Sequence, residues 1–256
     1  MQAVKVTLVD VNPKMVAAWR EVFADNPEVS VVQGSMLDQK VDAWVSPTNA
    51  RGEMAGGLDG VIKKHFGPKI QTKVQSEIAR LYKGTMHVGH ATCVETGVKV
   101  PRFLISTPSM TASSEDISDT LNVALTCSAA FQMVHMQNHR EPGSIQSVAL
   151  PGIGTGTGRT PVEICADLMW TAYNLFLTRD FSDFAEMRAA LEEELGSLGN
   201  NLAPGSTKAA KPAAAVVAHA TANAPAPAAV AKGPVIPPKG PAKPQQKPLD
   251  DFDDHE

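Results

Sequence analysis

Apolar residues in the first 200 positions follow two alternating spacings. Short runs rich in β-branched and other apolar residues, such as VKVTLVDV at 4–11, predict strands. The predicted strands cover residues 4–11, 29–34, 42–47, 87–95, 102–110 and 145–150. Between them, apolar residues recur at every third or fourth position, which predicts helices. These cover residues 13–25, 57–66, a further stretch to about Tyr82, 116–137, 160–176 and 181–198.

Residues with special backbone preferences mark the ends of these helices. Pro13 opens the first one, and Gly67 followed by Pro68 ends the second. Asp116 or Ser118 is predicted to cap the long helix of 116–137. Strands that alternate with helices imply a mixed α/β sheet, with a site at the carboxyl ends of its strands.

The composition changes sharply near residue 200. From Ala203 onward the chain consists largely of Ala, Pro and Lys, and aromatic residues are absent until Phe252. Such a segment buries too little apolar surface to offset the entropy of ordering it. We therefore predict a folded domain at 1–200 and a disordered tail at 201–256.

The last eight residues, LDDFDDHE, surround Phe252 with acidic side chains. This acidic tip resembles short peptides that dock on basic pockets of partner proteins, and a protein partner is one prediction for it. The alternative is an end that only keeps the chain soluble. The tail lysines favour at most weak, salt-sensitive contacts with nucleic acid.

Charge and cysteine content exclude several classes of protein. The net charge of −4 makes general nucleic-acid binding unlikely. Cys93, Cys127 and Cys165 stand far apart, so neither a disulfide framework nor a zinc cluster is indicated. No apolar stretch reaches the roughly 20 residues of a membrane helix, and the first residues do not form a signal peptide. We expect a cytoplasmic protein without a metal or cofactor and without membrane contact.

The stretch ALPGIGTGTGRTP at 149–161 has glycine at every second position from 152 to 158. It follows a predicted strand and precedes a predicted helix with Pro161 in its first turn. The unpaired N–H groups and the dipole at a helix start favour an anion, and glycines let the backbone close around a phosphate. Neither a Walker A motif nor a proper dinucleotide fingerprint is present. A glycine-rich turn without a ligand is the alternative.

A second stretch, SPTNARGEMAGGLDG at 46–60, has the same character. Gly56 and Gly57 open another predicted helix, and Asn49 and Asp59 flank them with polar groups. Two such loops on different strands suit a ligand with two phosphates and two sugars.

The order of these motifs resembles the macrodomain family, whose members bind ADP-ribose. The family pattern VxxGDI…DAIVNAAN…GGGVDGAI…PxxxTGxxGxP is matched by VVQGSM, DAWVSPTN, MAGGLDGVI and PGIGTGTGRTP. The similarity covers roughly residues 4–176. The motif sequences are closer to those of a stand-alone bacterial and phage branch of the family than to the common form. It implies a three-layer α/β/α fold with a mixed central sheet.

The resemblance also implies roles for individual residues. Asn49 matches the Asn that hydrogen-bonds the distal ribose, although an Asn that caps a turn is the competing interpretation. Asp59 matches the Asp that holds or activates water in hydrolytic members, although stabilising a helix start is its alternative. The remaining predicted ligand-binding positions are Gly34, Ser35, Gly56, Gly57, Leu58, Gly152, Ile153, Gly154, Thr155, Gly156, Thr157 and Gly158.

Several positions depart from the family pattern. Ser35 replaces the Asp that accepts a bond from the adenine amino group, and a hydroxyl accepts more weakly, so selectivity for adenine is in doubt. Asp38 lies three residues further on and would replace the adenine-binding Asp only if the loop bends. Ser46 replaces the first Asn of NAAN, and Lys63 replaces the His of the hydrolases. His65 lies about 200° further round the helix, so it does not stand in for that His.

Three other polar residues lie near these motifs or on a predicted strand, where a phosphate or metal contact has to be considered. Arg159 is a candidate partner for a phosphate, although an exposed Arg beside a loop is common. His87 and His90 are three positions apart on a predicted strand, so they are expected on opposite faces and not as a metal pair.

The sequence thus predicts an ADP-ribose-binding protein that hydrolyses a derivative at the distal ribose. The candidate substrates are ADP-ribose 1''-phosphate, O-acetyl-ADP-ribose and an ADP-ribosyl side chain. A non-catalytic reader or sponge for ADP-ribose, or a scaffold that acts through its tail, are the alternatives.

Overall fold

The computed structural model of the chain describes residues 4–199. The predicted tail at 201–256 and its acidic tip lie outside the described residues. Within that part of the chain, no helix is both long and apolar enough to cross a membrane.

Strands and helices alternate along the described chain, as the apolar spacing predicts. The strands are β1 (Lys5–Asp10), β2 (Ser30–Gln33), β3 (Ala43–Asn49), β4 (Thr92–Glu95), β5 (Phe103–Met110) and β6 (Ser147–Leu150). The helices are α1 (Pro13–Val22), α2 (Gly57–Phe66), α3 (Lys69–Tyr82), α4 (Asn122–Arg140), α5 (Val162–Thr178) and α6 (Phe184–Gly199).

The strands form one mixed sheet of six in the order β2-β1-β6-β3-β5-β4. All neighbouring strands run parallel except β4, which pairs antiparallel with β5 at the edge. The carboxyl ends of β2, β1, β6, β3 and β5 therefore share one edge of the sheet. That edge carries both glycine loops.

Helices cover both faces of the sheet because its central strands carry buried side chains on both faces. One core joins α1, α4 and α5 to the sheet through residues such as Trp19, Phe131 and Val45. A second core joins α2 and α3 to the other face through Trp44, Ile62 and other apolar residues. α6 packs its Leu191 and Leu195 against α4. The three-layer α/β/α architecture expected from the sequence is confirmed.

Two predicted elements were wrong in their extent. The strand predicted at 87–95 begins only at Thr92, because Gly89 has a φ of +87° and residues 87–90 form a turn in which the His90 N–H donates to the His87 carbonyl. His87 and His90 therefore do not lie on two faces of a strand. Among residues 4–199, no group of three His, Cys, Asp or Glu side chains is placed to hold a metal ion.

The predicted cap of the long helix was also wrong. α4 begins at Asn122 and has no side-chain cap, whereas Asp116 accepts hydrogen bonds from Ser118 in the preceding segment. Smaller differences occur at several other ends, and two of them adjoin the glycine loops. β3 continues through Pro47 to Asn49, and Pro161 is the N-cap of α5, one position before the first turn.

Candidate functional site

The two glycine loops meet where neighbouring strands send their chains to opposite faces of the sheet. β3 and β6 are adjacent and parallel. β3 leads to α2 on one face, whereas β6 leads to α5 on the other. Such a switch point opens a crevice beyond the carboxyl ends of the strands, which is where α/β proteins bind ligands. We call the space between residues 50–57 and 151–161 the two-loop crevice.

Both helices that start at this crevice leave their first N–H groups without a side-chain cap. The N-cap of α2 is Gly56 and that of α5 is Pro161, and neither supplies a side-chain hydrogen bond. The first N–H groups of a helix have no partner within the helix, and its dipole places a partial positive charge there. Two such ends at one crevice favour an anionic ligand.

Packing within the protein explains three of the glycines in the second loop. A Cβ on Gly152 would lie 2.8 Å from Asp10 Oδ2, and one on Gly154 would lie 2.8 Å from Ile117 Cδ1. A Cβ on Gly158 would lie 2.7 Å from the Gly154 carbonyl oxygen. These positions must be small whether or not a ligand binds.

Gly56, Gly57 and Gly156 have no such explanation from packing. A Cβ on Gly56, Gly57 or Gly156 would meet nothing within 4 Å. Gly57 has a φ of +56°, which favours glycine by itself. Gly56 and Gly156 need neither close packing nor left-handed backbone, so their bare surface is available to a ligand.

The side chains of the second loop offer fewer groups for ligand binding than its backbone does. Ile153 is buried in the core below the loop. The Thr155 hydroxyl donates to the Gly152 carbonyl, and Thr157 is exposed. The Arg159 guanidinium lies 3.3 Å from the Asp116 carboxylate, so its charge is already shared with the segment 111–121.

Asp59 lies in the first turn of α2 and is buried, with only 6% of its surface exposed. The Ser46 hydroxyl donates to its Oδ1. Burial raises the pKa of the Asp59 carboxyl to about 6, and the hydroxyls of Ser46 and Thr48 hold it from rising further. Asp59 is therefore a carboxylate that can gain or lose a proton near neutral pH, as general acids and bases do.

Asn49 ends β3 at the mouth of the crevice. Its Oδ1 accepts from the N–H groups of Arg51 and Glu53, and its Nδ2 donates to the Glu53 carboxylate at 3.2 Å. These bonds are the turn-capping role that the sequence left as an alternative. They also fix the amide at the edge of the crevice.

Gly34 and Ser35 lie after β2, at the far end of the crevice edge. Ser35 caps a short 3-10 helix at Met36–Asp38, where its hydroxyl accepts from the Leu37 N–H. The Gly34 N–H donates to the Asp10 carbonyl.

Leu58 packs partly into the core below α2. On α2, Lys63 donates to Gln71 and the exposed ring of His65 lies against Trp44 and Phe66.

The sequence analysis missed two residues that hold the second loop. Asp10 accepts from the Asn12 N–H and, at 3.1 Å, from the Gly152 N–H, which joins the end of β1 to the loop. Ile117 is fully buried against Gly154 and Gly158, and its N–H donates to the Gly158 carbonyl. An Asp that ends an apolar strand was the available signal for the first. An isolated Ile in a polar segment was the signal for the second.

Ile117→Ala is expected to lower the free energy of unfolding by about 2 kcal/mol, because it leaves a cavity between the loop and α4. Asp116→Asn, which breaks the exposed pair with Arg159, is expected to change it by less than about 0.5 kcal/mol. Urea unfolding of both variants checks this. Equal losses would contradict the role of Ile117 as the main contact of this segment with the loop.

Comparisons with known proteins agree with this geometry. The sequence profile of the Macro domain family matches residues 45–169, which contain both glycine loops. A macro domain-containing protein of Streptomyces nogalater is 30% identical over 135 residues, covering 52% of this chain and 70% of the relative. An O-acetyl-ADP-ribose deacetylase of Salmonella gallinarum is 26% identical over 153 residues, covering 59% and 80%.

The solved macrodomain of Oceanobacillus iheyensis with ADP is 19% identical and has a TM-score of 0.47, covering 66% of this chain and 90% of that one. With its matching profile and with a relative at 30% identity, the chain belongs to the macrodomain family.

Proposed function

We propose that this protein binds ADP-ribose or a derivative of it in the two-loop crevice and hydrolyses the derivative at the distal ribose. The observation that carries the proposal is the pair of uncapped helix starts at the β3–β6 switch point, each next to a glycine with open space. The diphosphate would lie between these loops and accept hydrogen bonds from backbone N–H groups.

The order of the strands supports one orientation of the proposed ligand along the crevice edge. Gly34 and Ser35 follow β2, whereas Asn49 follows β3, and two strands lie between them. At the usual strand spacing this separates the two ends by about 14 Å. A base beside Ser35 and a distal ribose beside Asn49 and Asp59 would then have the diphosphate between them.

In this arrangement the chemistry falls to Asp59 and Asn49. The Asn49 Nδ2 would orient the ribose by donating its second hydrogen to a hydroxyl, since the Asn49 Oδ1 already accepts two backbone bonds. The Asp59 carboxylate would take a proton from the attacking water, and a pKa near neutrality suits that role. Holding the diphosphate would keep the scissile bond next to that water.

A second candidate is a reader that binds ADP-ribose without hydrolysing a derivative. It is favoured by the burial of Asp59 against Ser46 and by Lys63, which turns toward Gln71 at the position of the hydrolases' His. In a reader Asp59 would only shape the pocket.

Calorimetry with ADP-ribose and turnover assays with ADP-ribose 1''-phosphate, O-acetyl-ADP-ribose and an ADP-ribosylated protein separate these functions. We expect binding, and turnover of at least one substrate that Asp59→Ala reduces about 100-fold or more. Binding without turnover would favour the reader. If ADP-ribose does not bind, both functions fail.

A further inference from the structure

The sequence analysis treated Ser46 only as a departure from the family pattern. In the structure Ser46 is fully buried in the middle of β3, on the face that α2 covers. Its hydroxyl donates to Asp59 Oδ1. Thr48, two residues further on, faces the same side because side chains alternate along a strand.

In the described part of the chain, no charged group forms an ion pair that offsets the charge of Asp59. β3 contains no charged residue, and Asp59 forms no ion pair among the described residues. On α2, Lys63 is bound to Gln71, and Lys64 and His65 are exposed.

α3 also packs on α2. Its charged side chains contact groups other than Asp59 or lie exposed. Arg80 pairs with Glu77, Lys73 donates to the Glu95 carbonyl, and Lys69 is exposed. A buried anion without a cation depends on hydrogen bonds.

We infer that Ser46 is the positioning residue of this site: its hydroxyl fixes the Asp59 carboxylate by binding one of its two oxygens. The inference rests on the proposed function only for its effect on turnover. Since the bond favours the charged carboxylate, removing it should make Asp59 harder to ionise.

A neighbouring serine provides a matched control. Ser106 on β5 is paired in register with Ser46 and is almost as buried. Its Oγ has no hydrogen-bond partner among residues 4–199. Ser106→Ala therefore removes the same atom from the same layer without touching the bond to Asp59.

The test is an NMR titration of the Asp59 carboxyl carbon in the full chain. In Ser46→Ala we expect its midpoint to rise by about one pH unit or more, because a hydrogen bond to a charged group is lost. In Ser106→Ala it should stay where it is in the unsubstituted protein. Ser46→Cys, which keeps a weak donor, should give an intermediate rise and serves if the alanine variant does not fold.

Turnover gives a separate readout. The acidic limb of the kcat profile should move up in pH with the NMR midpoint, while KM for the substrate stays unchanged. An unchanged midpoint in the Ser46 variants, or an equal rise in Ser106→Ala, overturns the positioning role. Absence of turnover in every variant, with the NMR shift present, overturns the hydrolase proposal and leaves the role of Ser46 intact.

A different observation carries a second inference, on α4 and α5. A small cavity between α4, α5 and the segment 181–187 is lined by Ser128, Gln132 and His135 among aromatic and aliphatic side chains. Ser128 and Gln132 are 4% and 2% exposed. Ser128 Oγ, Gln132 Oε1 and His135 Nε2 have no hydrogen-bond partner among residues 4–199.

The donor and acceptor character of these atoms defines what fits. Gln132 Oε1 accepts, and its Nε2 already donates to the Phe181 carbonyl. Burial lowers the pKa of the His135 ring, so the ring is neutral and its Nε2, which has no partner among residues 4–199, can accept. The Ser128 hydroxyl can donate. The cavity measures about 10 Å³, the space that one water molecule needs.

The geometry points to an internal water that donates to Gln132 and His135 and accepts from Ser128, all on α4, and that fills the space between α4 and the chain before α6. A crystal structure of the full chain at a resolution that shows ordered water should place one density peak within hydrogen-bond distance of all three atoms. The Ser128→Ala, Gln132→Met double variant should lose it. An empty cavity in the unsubstituted protein, or density larger than one water, overturns this inference.

Discussion

Replacing Asp59 by Asn is expected to stabilise the folded protein at neutral pH by as much as about 3 kcal/mol. The pKa of Asp59 is about 6 in the folded protein, against an ordinary value of 3.8. Between these values the folded state binds more protons than the unfolded state. Stability is therefore full below about pH 4 and is lost as the pH rises through 6.

The Asn side chain avoids this loss because it never ionises. Its carbonyl can still accept from the Ser46 hydroxyl, so the bond to β3 is retained. Urea unfolding of the variant and the unsubstituted protein from pH 4 to pH 7.5 checks the prediction. The difference between them should grow from near zero to its full value across that range.

Asp119→Asn is the control, because Asp119 is exposed and the substitution makes the same change in charge. Its difference from the unsubstituted protein should be small at every pH. A destabilised Asp59→Asn at pH 7.5 would show that the carboxylate is better satisfied than its contacts indicate. A site residue that destabilises the fold is the usual sign of a functional requirement.

The alternation of strands and helices was readable from the sequence because the strands are short apolar runs, whereas most helices carry apolar residues at every third or fourth position. The crevice was also predictable, since both glycine loops follow strands. β3 was expected to end at Pro47, yet it reaches Asn49. There β5 runs alongside it as a parallel partner, and this tertiary pairing overrides the local preference of proline.

The errors at 111–121 have a different physical cause. Asp116 and Ile117 were predicted to open the helix at 116–137, but they contact the second loop more than 35 residues later in the chain. Local spacing contains no information about such a partner. The burial of Asp59 on Ser46 was hidden for the same reason, because it depends on how α2 lies on β3.

The glycines show a further limit of sequence reasoning, since one motif serves two purposes. We expect Gly156→Val to weaken ADP-ribose binding about tenfold or more and to leave stability nearly unchanged. A Cβ at this position meets nothing in the protein within 4 Å, and the valine methyl groups would enter the space proposed for the ligand. Gly158→Ala should instead lower the free energy of unfolding by about 1–3 kcal/mol, because its Cβ would overlap the Gly154 carbonyl oxygen.

The two substitutions lie two positions apart, so calorimetry and urea unfolding on both variants separate ligand binding from packing within one loop. Gly196→Ala in α6 is the control for an open glycine outside the crevice; it should leave affinity unchanged and raise stability by at most about 1 kcal/mol, because alanine favours a helix more than glycine does. Full affinity in Gly156→Val would mean that the ligand does not approach the second loop, and the diphosphate would then have to lie elsewhere. Loss of stability in both variants would mean that the whole loop is held by packing alone, and Gly56 would remain as the open glycine whose substitution tests the crevice from the α2 side.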